Sequence, residues 1–125
     1  MTEPQAHMIE QGVRLLFPCS GAADTGEIAD RAARRLARGG FGRMFCLAGV
    51  GGRVPAVMDN MKMAGEIWAI DGCSEDCARY TLELAGFSVT RHLRVTDYGF
   101  EKGHSPATDD NVAVVAGKAL VEENR

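Results

Sequence analysis

The sequence predicts an α/β fold: a three-layer, doubly wound sheet of four parallel strands, with helices on both faces. Three observations predict it. Short apolar runs alternate with amphipathic stretches four times along the chain. Glycine, proline or small polar residues bound each run. The 125 residues contain no repeat, linker or low-complexity segment, so a single domain spanning 1–125 is expected. The expected strand order is 2-1-3-4, with right-handed crossovers.

Each element has its own signal. Residues 1–12 are polar and acidic and read as a loosely ordered lead-in. Residues 13–17, Val-Arg-Leu-Leu-Phe, form the first strand. The small residues of 19–26 cannot pack a core and read as a loop. A helix over about 27–38 follows, because Ile28, Ala32 and Leu36 recur every four positions and Ala29 and Ala33 widen the stripe. Thr25 is its expected N-cap, and Gly39 and Gly40 end it. Residues 43–48 are the second strand, with Cys46 inside it, and Gly49 to Arg53 is a glycine-rich turn. Pro55 suits the first turn of a helix over about 54–64, whose methionines read as core filler. Residues 66–70 are the third strand. A helix over about 74–85 ends at Gly86, and residues 87–95 form a fourth, edge-like strand. Residues 96–104 read as an irregular loop. The last helix covers about 107–123, with Val112, Val115, Ala116, Ala119 and Leu120 turned inward.

Composition narrows the function. A net charge of -3 gives no nucleic-acid footprint, and no polybasic run suggests a membrane surface. No apolar run approaches the roughly 20 residues that span a bilayer. The first residues lack the pattern of a signal peptide, so a cytoplasmic location is expected. Thiols stay reduced there, and four cysteines then indicate metal or redox chemistry before disulfides.

The positions of those cysteines carry the functional expectation. Open parallel sheets build their sites beyond the carboxyl ends of the strands, where the strand order reverses. Cys19 follows strand one, Cys46 lies toward the end of strand two, and Cys73 follows strand three. Cys77 stands one helical turn further, on the same face as Cys73. In the order 2-1-3 these strands are neighbours, so all four sulfurs could meet with no loop rearrangement. Four thiolates suit a closed tetrahedral zinc site. An iron–sulfur cluster or copper(I) also suits soft sulfur ligands, and a reactive cysteine in a redox protein or enzyme is a further reading. Ser20, Asp71, Arg53 and His104 are expected around the ion. Asp71 reads mainly as an acceptor for turn amides.

Asp71-Gly72-Cys73, together with Cys19-Ser20-Gly21 and Phe45-Cys46-Leu47-Ala48-Gly49, resembles the DGC-domain family. The similarity runs from about Leu15 to Val121 and includes Ala32-Ala33-Arg34, Gly51-Gly52-Arg53 and Leu84-Ala85-Gly86-Phe87. The resemblance implies a small protein whose four cysteines, here Cys19, Cys46, Cys73 and Cys77, chelate a metal, with zinc proposed. It implies no defined biochemical role.

Other constellations are weaker. The loop from Cys19 to Thr25 could cradle an anion, but a cysteine phosphatase would place an arginine where Asp24-Thr25-Gly26 stands. That loop also lacks the Gly-Lys-Ser/Thr of a nucleotide P-loop. Gly49-Val50-Gly51-Gly52 lacks the full dinucleotide fingerprint and reads as a tight turn.

Overall fold

A computed structural model describes residues 9–125. Its strands are β1 (Val13–Pro18), β2 (Arg43–Met44), β3 (Ala64–Asp71) and β4 (Arg91–Arg94). They form one parallel sheet in the order β2-β1-β3-β4, as the alternation of elements predicts. The helices are α1 (Asp24–Arg38), α2 (Leu47–Gly51), α3 (Pro55–Met61), α4 (Cys77–Leu84) and α5 (Asp109–Glu123), with a 3-10 turn at Val95–Tyr98.

Side chains alternate across each strand, so the sheet buries two cores. On one face Leu16, Trp68, Ile70 and Leu93 pack against Ile28, Ala29, Ala32 and Leu36 of α1 and Val112, Val115 and Ala119 of α5. On the other, Leu15, Phe17, Ile67 and Ala69 pack against Val50, Met61, Ala78 and Leu82. Each fully buried Leu, Ile or Phe contributes about 1.5–3 kcal/mol relative to exposure. These two layers place the carboxyl ends of β1, β2 and β3 side by side.

Several boundaries differ from expectation. Of the expected lead-in, residues 1–8 lie outside the described residues. Ile9 is buried, its N–H donates to Asn60 Oδ1 at 3.0 Å, and the Gly12 N–H donates to the Met63 carbonyl at 2.8 Å, so residues 9–12 are held in place. The second strand is cut to two residues, because the chain turns at Cys46 into α2. α1 begins earlier, with Ala23 rather than Thr25 at the N-cap; Thr25 is buried within the first turn. α4 begins at Cys77, not at Ser74, since Asp76 takes a left-handed conformation with φ 55° and breaks the helix there. β4 starts only at Arg91, because just before it the Thr90 hydroxyl accepts the Ile67 N–H at 2.9 Å in place of a carbonyl. Met61 fills the core, but Met63 is exposed, and so is Leu120. Among the described residues, no helix is long and apolar enough to cross a membrane.

Candidate metal centre

Cys19 directly follows β1. Its N–H donates to the Ile70 carbonyl at 3.0 Å, which keeps the chain alongside β3. Its Sγ accepts the Gly72 N–H at 3.3 Å. Burial pushes the Cys19 thiol up from its ordinary value, against the pull of the Gly21 and Gly72 amides. Cys19 is therefore a neutral thiol at neutral pH unless a cation meets its sulfur.

Cys46 is the N-cap of α2, and its Sγ accepts the Gly49 N–H at 3.1 Å. Sulfur thus fills the role that a serine or aspartate oxygen usually fills. The close approach also needs Gly49, where an added Cβ would stand 2.6 Å from Val57 Cγ2. Cys73 lies in the turn after β3, with Lys102 Nζ 3.6 Å from its Sγ. Cys77 opens α4 and is exposed. The expected helical pairing of Cys73 and Cys77 is corrected, because Cys73 precedes the helix.

Two hollows adjoin at this end of the sheet. Cys19, Cys46 and Cys77 line one of about 530 Å³, with Ser20 and Arg34 on its wall. Cys19, Cys73 and Cys77 line the other, of about 510 Å³, with Lys102. Cys19 and Cys77 belong to both, and all four cysteines are free. Sulfurs around one zinc at about 2.3 Å would stand about 3.8 Å apart. Among the described residues, the group of three ligand-type side chains with donor atoms within 4.8 Å of one another is Asp71, Asp76 and His92, not any three cysteines. As they stand the sulfurs ring the two hollows rather than meeting at one point, and must be drawn inward to share an ion. Their chemistry fits a soft cation. Four thiols border two adjoining hollows, and two of them already accept backbone amides of the kind that stabilise thiolate.

The Asp71, Asp76 and His92 group has another task. Asp71, 1% exposed, accepts the Ala78 N–H at 2.7 Å and the Arg79 N–H at 3.2 Å, capping α4 from below. His92 Nε2 meets the same carboxylate at 2.8 Å. Arg94 donates to both oxygens of Asp76, at 2.9 and 2.7 Å, and this pairing holds the Asp76 carboxyl below its ordinary range. With its oxygens already engaged, the group serves as a brace beneath the Cys73–Cys77 turn. The Asp-Gly-Cys tripeptide is legible in these terms. Asp71 caps the helix, and Cys73 faces the hollow. Gly72 lets β3 cross the start of α1, since an added Cβ would stand 2.6 Å from the Gly26 nitrogen.

The residues expected to flank the ion divide. Ser20 lines the first hollow and donates to Asp30 at 2.7 Å. Asp71 lies beneath the turn as a structural acceptor. Arg53 lies elsewhere, bonded to the carbonyls of Val50, Gly51 and Leu84. His104 lines neither hollow; it sits near Asp24. Of the loop cations expected at this end of the sheet, Lys102 is the one that lines a hollow. Sequence reasoning did not single out Arg94 or the pairing of His92 with Asp71. Their signal was the shared parity of His92 and Arg94 on a strand whose register sets Arg94 opposite Asp71.

A family model described as the DGC domain matches residues 15–119. The "Anaerobic and virulence modulator AnvM" of Pseudomonas aeruginosa is similar to this chain, 32% identical over 111 residues, covering 89% of the chain and 82% of that protein. No solved structure matches.

Proposed function

The chain belongs to the DGC-domain family, and from that premise we propose that it is a metal-binding protein holding one zinc ion through Cys19, Cys46, Cys73 and Cys77. The observation that carries this reading is the gathering of four free thiols, from three strand ends and one helix start, around two hollows that share Cys19 and Cys77. A zinc with four thiolates keeps no position for water, so it would cross-link the loops rather than turn over a substrate.

The chain's own groups suit that role. The Gly72 and Gly49 amides point at the Cys19 and Cys46 sulfurs, and the Lys102 ammonium stands beside Cys73. These donors offset the two negative charges that four thiolates leave on a bound zinc. The Asp71 and Asp76 brace fixes the backbone from which Cys73 and Cys77 project. The Pseudomonas aeruginosa relative is named as a modulator, a regulatory term that agrees with an ion held for structure or sensing.

The test is elemental analysis of protein purified without added metal, with a thiol count before and after chelation. One zinc per chain and four thiols protected until chelation are expected. Metal-free protein whose four thiols all react at once would refute the proposal. That no three of the sulfurs lie within 4.8 Å of one another favours one alternative, a thiol-redox protein. That reading predicts metal-free protein with a single cysteine alkylated far faster than the other three.

A further inference from the structure

Four arginines of α1 line one hollow. Arg31, Arg34, Arg35 and Arg38 recur at helical spacing and so share a face. That face meets the start of α5 around a space of about 430 Å³, with Asp109 and the buried Val112 on its other wall. None of the cysteines lines it.

Charge in this hollow is unbalanced. Arg31 donates to the Ala107 carbonyl and, at 2.9 Å, to Asp109 Oδ1. Arg34 donates to Asp30 Oδ2 at 2.9 Å. Arg35 and Arg38 are exposed and pair with nothing among the described residues. Four guanidiniums against two carboxylates leave two positive charges, on a chain whose net charge is -3. The Asp109 side chain is 89% exposed, and so exposed an ion pair is weak enough for a ligand to displace.

The helix itself does not need this arrangement. A cation in the last turn meets the negative end of the helix dipole, which accounts for Arg35 and Arg38. It does not account for Arg31 and Arg34. An exposed helix face gains from acids set four residues from its bases. Here Arg31 and Arg35, and Arg34 and Arg38, are like-charge pairs at that spacing, which destabilise the helix. An anion seated among them would turn that repulsion into attraction.

We infer that the hollow between α1 and α5 is a polyanion site, in which Arg31, Arg34, Arg35 and Arg38 hold the phosphate chain of a small di- or triphosphate.

The donors select this ligand. A guanidinium presents a planar fork that matches two oxygens of a phosphate. Arg35 and Arg38 offer two unpaired forks, and Arg31 and Arg34 keep donors beyond those they use. Several phosphoryl groups are needed to engage them all, and the hollow has the size of a small-molecule site. No aromatic ring lines it, so nothing stacks a base. The phosphate chain is therefore what is recognised, whether free or carried by a nucleotide. A nucleic-acid strand would have to run on past Asp109 and Asp110 at the start of α5, which repel it. None of this depends on a metal at the thiols.

The test is calorimetric titration of the protein as purified with inorganic tripolyphosphate at low salt. Zinc content measured before and after separates binding from extraction of a metal by the probe. One site per chain is expected, with a dissociation constant of about 10 to 100 µM that weakens in high salt. Inorganic phosphate should bind at least about tenfold more weakly. Arg35→Gln with Arg38→Gln removes two exposed, unpaired side chains, so the melting temperature should not fall, while affinity should drop at least about tenfold. Arg35→Lys with Arg38→Lys keeps the charge but loses the forks, and should bind at least about threefold more weakly. Lys62→Gln, at a side chain 74% exposed just past α3, should bind as the parent does. Equal affinity for ATP and tripolyphosphate assigns recognition to the phosphate chain alone. ATP bound at least about tenfold more tightly keeps the site and makes its source a nucleotide. No binding at about 1 mM tripolyphosphate would overturn the inference. So would a glutamine or lysine double variant that binds as well as the parent, weakening by Lys62→Gln, phosphate bound as tightly as tripolyphosphate, or a thymidine oligonucleotide bound more tightly than tripolyphosphate.

Discussion

Gly72 is the most constrained residue of the site. An added Cβ there would lie 2.6 to 2.8 Å from backbone atoms of Thr25 and Gly26, which cannot yield as a flexible side chain could. Gly72→Ala is expected to cost about 3 kcal/mol in urea unfolding, at the upper end of ordinary point substitutions. A loss below about 1 kcal/mol would mean the strand end and the helix start can separate freely. Arg94 offers a second residue-scale prediction. Arg94→Gln leaves the Asp76 carboxylate, with 6% of its side chain exposed, short of its main counter-charge. About 2 kcal/mol of stability should be lost, and Asp76→Asn in the same chain should recover part of it in a double-mutant cycle. That Asp71 accepts backbone amides was legible in the sequence; that these belong to Ala78 and Arg79 of α4 rather than to the turn around Cys73 was not. The Arg94 pairing was not. Strand parity tells which side chains share a face, but not that the turn before α4 brings Asp76 back onto Arg94.

Elements join through Asp24, whose carboxylate accepts the Gly103 N–H at 2.8 Å and the Ser105 N–H at 3.0 Å, and so ties the Lys102 loop to the start of α1. Those amides hold the Asp24 carboxyl below its ordinary value. A group with a depressed folded-state pKa stabilises the fold above its unfolded pKa of about 4, and that stability is lost as pH falls through the folded value. Asp24→Asn should therefore lower the melting temperature at neutral pH, and the gap from the parent should close as pH drops below about 4. A gap that is constant with pH would contradict the tether. The long helices were legible because their four-residue periodicity has only one period that fits. The segment after β2 was not. Phe45-Cys46-Leu47-Ala48 is a short apolar run, which periodicity cannot assign between strand and helix. The sulfur cap at Cys46 and the packing of Gly49 on Val57 decide for helix. That turn is what brings Cys46 to the hollow it shares with Cys19 and Cys77.

At the scale of the whole molecule, parallel topology is the reason the thiols share a neighbourhood. Three strands pointing the same way release three cysteines at one rim, and the order β2-β1-β3 makes those strands adjacent. This much follows from alternating elements and could be read from the sequence. The final spacing of the sulfurs could not, because it depends on side-chain rotation and on where each loop turns. A shared zinc would cross-link elements spread from Cys19 to Cys77, and its binding would add to folding free energy. Chelation is expected to lower the melting temperature by about 10 °C or more in calorimetry, with recovery on adding zinc back. Cys73→Ser should lower the melting temperature and abolish most of the response to chelator. The most direct measurement of the central claim is X-ray absorption at the zinc edge on the purified protein. Four sulfur neighbours at about 2.3 Å are predicted. A shell dominated by nitrogen and oxygen, or an absorption edge too small for one zinc per chain, would contradict it.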